Sequence, residues 1–135
     1  MFLAEYRFPI VSGAVLAHYR ERLDHWAGLE CAPKRPAVMP RRLLTLREDG
    51  GPDSVGVAVW GYGVNVWADS PVDAKSIALD ALAASLSLPG VSAIKAVRDV
   101  VTPSEVDDDP SYTVNGTPLA HYYFSFDAVV KAVAL

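Results

Sequence analysis

The sequence predicts an α+β domain: a mixed or antiparallel sheet of about four strands with two helices packed on one face, in the order α-β-β-α-β-β. Three observations predict it. Two stretches repeat their apolar residues at helical spacing, around Ala14–Ala27 and Val72–Ser85. Three others are rich in β-branched and aromatic residues, and His121–Val133 alternates most regularly. The 135 residues are 51% hydrophobic and 21% charged, enough for one well-packed core and poor for two, so residues 1–135 are read as a single domain.

Residues 1–11 form an N-terminal arm. In the first helix Val15, Leu16, Tyr19, Leu23 and Trp26 make an apolar stripe, opposite Arg20, Glu21 and Asp24. Ser12 is placed to cap it, and Gly28 stands where a left-handed terminating residue is wanted. Pro33, Pro36 and Pro40 then make residues 30–40 an extended connector. Arg41–Glu48 reads as a strand, and "DGGPD", Asp49–Asp53, as a turn.

Ser54–Asp69 is β-rich throughout, and its inward and outward sets change places near Gly61 and Gly63, which predicts a bulge or bend. Ser70, Pro71 and Asp73 supply a cap, a first-turn proline and a first-turn acid, so strand passes to helix with almost no loop. Ala74, Ile77, Ala78, Ala81, Leu82 and Ser85 form a narrow stripe that lets this helix lie close to a sheet, and Pro89-Gly90 ends the helical segment. Ile94–Thr102 is a further strand. Residues 103–118 are a long polar loop with a tight turn at Asn115-Gly116. In the last strand Tyr122, Phe124, Phe126, Ala128 and Val130 point one way; His121, Tyr123, Ser125, Asp127, Val129 and Lys131 point the other.

Sixteen acidic against twelve basic residues give a net charge of −4, which argues against a dedicated nucleic-acid binder. One cysteine, Cys31, excludes an intramolecular disulfide and a thiolate cage. The start "MFLAEYRFPIV" is interrupted by Glu5, Arg7 and Pro9 and is unlike a signal peptide, and no run is long enough to span a bilayer, so the chain is expected to stay in the cytoplasm where it is made.

The candidates for chemistry are thin. His18 and His25, with Glu21 between them, share a helix face, but metal-binding pairs on helices sit four apart rather than seven; a solvated flank is the better reading. Asp107-Asp108-Asp109 lacks the alternating ligands, glycine and distal glutamate of a calcium loop. Gly61-Tyr62-Gly63 is followed by no Lys-Ser/Thr and no helix start, so it is no phosphate cradle. Cys31 has no basic or histidine neighbour in sequence to activate it. No metal or cofactor is expected.

Trp60, Tyr62 and Trp67 crowd eight residues of one strand, and at least one is expected to anchor another protein surface. Lys34, Arg35, Arg41, Arg42 and Arg47 are the main local basic excess, suited to acids of a neighbouring subunit or to phosphate. With Asp107, Asp108 and Asp109, Arg41, Arg42, Arg47 and the three aromatics make the candidate interface.

Taken in order, these features resemble the tail terminator, or tail-completion, proteins of long-tailed bacteriophages, the minor-tail-protein-U-like family in the version common among phages of actinobacteria. The resemblance rests on the N-terminal helix and short linker, the strand with "REDGG" (Arg47–Gly51), the strand-to-helix run "VNVWADSPVDAKSIALDALAA", and the closing aromatic strand "HYYFSFDAVVKA". It runs from about Val11 onward, and the N-terminal "MFLAEYRFP" has no counterpart in it. The resemblance implies a structural virion protein without catalysis: a homohexameric ring at the tail neck that caps the tail tube, ends its polymerisation and contacts the head-side connector. Genomic DNA would pass only in transit through the lumen, and no membrane is involved.

Other neck proteins of the head-tail joint share this texture. A reading from another class is a small α+β isomerase or ligand-binding domain using His121 and Asp127; a pocket holding an Asp127 of raised pKa favours it. An exposed Trp60 or Trp67 on a flat rim favours the ring.

Overall fold

The computed structural model describes residues 6–51, 57–107, 113–114 and 116–134. In chain order the elements are β1 (Tyr6–Arg7), α1 (Ser12–Arg22), β2 (Leu29–Ala32), β3 (Arg42–Gly50), β4 (Val57–Ala68), α2 (Pro71–Leu86), β5 (Ile94–Val106), β6 (Thr113–Val114), β7 (Thr117–Pro118), β8 (Ala120–Lys131) and β9 (Val133–Ala134). The class is α+β with two helices. The main sheet has five strands in the order β2-β3-β4-β8-β5, all antiparallel except the parallel pair β2–β3. Two-stranded pairs β1–β9 and β6–β7 stand beside it.

Both helices cover one face of this sheet, and the core lies between. Val15, Leu16, Tyr19 and Leu23 of the first helical segment share one core with Leu44, Leu46, Trp60, Tyr62, Val64 and Val66 of the sheet, with the Ala74, Ile77, Ala78 and Ala81 stripe of α2, and with Phe124, Phe126 and Ala128. Alanines at the contact let the helix backbone approach the sheet closely. The start of α2 is built as its sequence predicts. Ser70 Oγ accepts from the Asp73 N–H at 3.1 Å, Pro71 opens the helix, and only two residues separate it from β4.

Four details differ from expectation. First, α1 ends at Arg22 rather than near Ala27, because two tight turns follow, closed by Trp26 N–H to Leu23 O and Leu29 N–H to Trp26 O. Those turns swing Trp26 against α2, where its indole donates to Asp80 Oδ2 at 2.9 Å, and Gly28 at φ +73° lets the chain leave toward β2. Ser12 is the first helical residue rather than the cap; its hydroxyl donates to Glu48 Oε2 at 2.9 Å.

Second, the connector begins with a strand, since Leu29–Ala32 pairs in parallel with Arg42–Thr45 until Pro33, lacking an N–H, ends the ladder. This fifth strand is invisible as a pattern because it is only four residues long. Third, β4 does not change phase. Its even-numbered residues from Ala58 to Ala68 all face the helices, and its pairing with β8 is unbroken from Val57↔Lys131 to Ala68↔Ala120. The irregularity sits in β3, where Asp49 is the extra residue between Glu48↔Tyr62 and Gly50↔Gly61.

Fourth, β5 extends into the expected polar loop as far as Val106. Its register against β8 shifts three times, around Lys95, Asp99–Val100 and Thr102–Pro103, and Asp99 adopts φ +52°. Bulges and a proline are tolerated there because β5 is an edge strand. Gly116, at φ +78°, turns β6 into β7; Asn115 lies outside the described residues, as do Pro52 and Asp53 of the expected turn after β3.

Candidate functional site

No helix among the described residues covers the opposite face of the sheet. At one end Leu43, Trp67 and Leu119 form a small second core, covered by Met39 of the connector and Val114. Beyond it the surface is polar. Thr45 and Arg47 of β3, Asn65 of β4, and His121, Tyr123, Ser125 and Asp127 of β8 point outward, because strand alternation sends their neighbours into the core. Gly63 leaves room at the centre: a Cβ there would stand 2.7 Å from Asp49 Oδ2 and 2.9 Å from the Tyr123 hydroxyl. Glycines 61 and 63 are thus clearings on this face rather than a bend.

Between the connector and the sheet lies a cleft of about 380 Å³, lined by Pro33, Lys34, Arg35, Thr45, Arg47, Asn65, Trp67 and His121. Its floor is ordered. The His121 ring stacks on Trp67 with centroids 4.4 Å apart and planes at 19°, and His121 Nε2 lies 2.7 Å from Asn65 Oδ1. An amide oxygen only accepts, so Nε2 carries the proton. Thr45 is almost wholly buried and Lys34 is exposed at the rim. Every charged side chain in the lining is cationic.

The expected interface residues separate into distinct roles. Arg41 is exposed, with its guanidinium 3.9 Å from Asp69. Arg42 is an internal clasp: it donates to Asp73 Oδ2 at 3.0 Å and Ala27 O at 2.9 Å, and lies 5.1 Å over the Trp26 ring. Arg47 borders the cleft and pairs with Asp49, whose carboxylate raises the guanidinium pKa. Trp60, Tyr62 and Trp67 are 8%, 1% and 5% exposed, so the expectation of an exposed aromatic anchor is corrected. Alternation puts Trp60 and Tyr62 under the helices, and the connector covers Trp67. Tyr62 is pushed up to about 12 by burial. Asp107 is exposed at the end of β5; Asp108 and Asp109 lie outside the described residues.

His18 is not a solvated flank. It is 7% exposed, and its Nε2–H points at Ala84 O (3.0 Å) and Ser87 Oγ (2.8 Å), tying α1 to the end of α2. Beside it Tyr19 donates to Ser85 Oγ at 2.6 Å, and Ser85 donates to Ala81 O. His25 instead meets Asp80 at 3.1 Å on the surface. No three potential metal ligands cluster among the described residues. Cys31 is buried, which pushes its thiol up to about 11, away from a reactive thiolate.

Asp127 has a raised pKa, mainly from desolvation and then from Asp99, with Arg98 opposing. It lies six residues along one strand from His121, about 20 Å at the usual rise, and does not line the cleft. The two cannot act on one reacting atom.

Sequence reasoning missed the cleft. Lys34, Arg35 and Arg47 were visible as a basic excess, but the floor of Thr45, Asn65 and His121 comes from three strands, and only their register brings it together. The chain matches no protein-family model and no curated protein.

Proposed function

We propose that the chain is a structural, non-catalytic subunit of a phage tail terminator ring. In this reading six copies close into a ring that caps the tail tube, ends its polymerisation and joins the tail to the head-side connector at the neck of the virion. The observation that carries the reading is the bare polar face: a sheet stiffened by two helices on one side presents the other side, and both edges, to neighbours. Rings need subunits of fixed shape so that head-to-tail contacts close, and the two-residue joint between β4 and α2 suits such a wedge.

The buried tryptophans remove an aromatic rim as the contact, and leave charge as its chemistry. The separation of His121 from Asp127 weighs against the isomerase alternative. With a net charge of −4 the lumen would let DNA pass without gripping it. Another neck subunit of the same virion would differ in which ring it binds.

The test is the absolute mass in solution by light scattering over a concentration series, alone and with tail tube protein. A hexamer, formed alone or on tubes, is expected; a monomer or dimer indifferent to tubes and to connector protein overturns the reading.

A further inference from the structure

We infer that the cleft under the connector binds the terminal phosphate of a small phosphomonoester. Three hydrogen-bond donors line it from three stretches of chain: Lys34 of the connector, the Thr45 hydroxyl of β3 and the Asn65 amide of β4. Register brings them together, because Thr45 and Asn65 are direct cross-strand neighbours and Thr45 also pairs with Ala32, two residues before Lys34.

None of the three is claimed among the described residues. Asn65 Oδ1 accepts from His121 Nε2, which leaves the two amide N–H donors of Asn65 directed away from that ring and without an acceptor. The Thr45 hydroxyl has no hydrogen-bond partner either; its residue is 6% exposed, yet the oxygen is not sealed and opens on the cleft. Such a donor is costly to leave unpaired, and a ligand oxygen satisfies it. Lys34 enters no ion pair among the described residues, so its charge is open to an anion. No donation is required from Arg35, or from Arg47, whose charge Asp49 offsets.

The number and spread of the donors select the anion. A phosphate monoester presents three strong acceptor oxygens, one for each donor. A carboxylate offers two in one plane and is held best by a guanidinium fork, which at Arg47 is already closed on Asp49. Lysine instead binds phosphate as a point charge. The phosphate has to be terminal, because a diester inside a nucleic-acid strand is flanked on both sides and cannot bring its oxygens down to a residue as buried as Thr45. The cleft, at about 380 Å³, is larger than a phosphate and leaves space for the group that carries it.

The experiment is a titration of the isotope-labelled chain at constant ionic strength, read by NMR at the Asn65 side-chain amide. Inorganic phosphate is the probe, and acetate and a short DNA duplex are the comparison anions. Phosphate is expected to shift the Asn65 signal saturably. Thr45→Val removes the hydroxyl and keeps the shape, and Lys34→Gln changes only an exposed rim position; each is expected to weaken binding about tenfold. Lys75→Gln, exposed on α2, is expected to leave it unchanged. Circular dichroism checks the fold, and Lys34→Gln carries the test if Thr45→Val does not fold. A shift that never saturates, native affinity in either folded cleft variant, or equal weakening by Lys75→Gln overturns the inference. Acetate bound as tightly as phosphate also overturns it, in favour of a carboxylate site. A duplex that moves the same signal more strongly, at equal phosphate concentration, overturns the terminal group. Ring formation plays no part in any of these outcomes.

Discussion

The two faces of one sheet are made from the same strands and do different work. Toward the helices β8 presents Tyr122, Phe124, Phe126, Ala128 and Val130, all at or below 9% exposure; away from them it presents His121, Tyr123, Ser125, Asp127 and Val129, all half-buried. The inner face excludes water with apolar volume and pairs Tyr19, Ser85 and His18 inside the protein, while the buried Trp60 Nε1–H has no hydrogen-bond partner among the described residues. The outer face leaves most of its polar groups partly accessible, with Thr45 buried under the connector's end of the cleft, and clears space with glycine. Stability resides on the inner side, and in the proposed ring reading recognition resides on the outer one, so a substitution can damage either separately.

The largest expected effect breaks the inner face. Phe124→Ala should cost about 3–5 kcal/mol in urea unfolding, whereas Tyr123→Ala, its neighbour on the outer face, should cost under about 1.5 kcal/mol. Near-equal losses would mean that the outer face is also a core. Next is Gly63→Val, where the added side chain collides with Asp49 and Tyr123; a loss of about 1–3 kcal/mol is expected from overpacking, and an unchanged midpoint would show that this face is not crowded at its centre. Ser70→Ala removes the hydroxyl that accepts from Asp73 N–H and should cost about 1 kcal/mol, measurable as a shifted thermal midpoint, without changing either face.

How far these contrasts were legible in the sequence depends on their length scale. The α2 cap and stripe and the β8 alternation are set by residues a few positions apart, and the structure places them as read. β2, the register shift at Asp49 and the cleft depend on partners tens of residues away, which no local pattern contains. His18 illustrates the middle ground. Its helical position was clear, but whether that flank is wet depended on where α2 lies. The crowding of Trp60, Tyr62 and Trp67 misled because a strand buried on both sides, under helices and under the connector, can take large residues at successive positions.

The smallest expected effect sharpens the outer face. Asp127 binds its proton more tightly folded than unfolded, because desolvation and Asp99 disfavour its charge. The folded state therefore holds more protons than the unfolded one just above the ordinary carboxylate range, and this group's contribution to stability falls as pH rises through that window. Asp127→Asn should remove that slope and raise the thermal midpoint slightly at neutral pH, the gain being limited by solvent screening at a half-buried site. A lower midpoint at neutral pH would show that the carboxylate is needed there, most simply by Arg98.

The strand order carries a consequence for how the protein is made. β8 pairs with β4 and with β5, and β5 has no other partner in the main sheet. A ribosome releases β4, α2 and β5 before the strand that unites them, so the growing chain holds a β3–β4 hairpin and an unpaired β5 until β8 emerges. Every pairing of β4 with β8 spans more than fifty residues, from Ala68↔Ala120 outward. Folding therefore waits on loop closure rather than on local turns, and the nascent chain is most prone to aggregate just before β8 arrives to pair the strands already made.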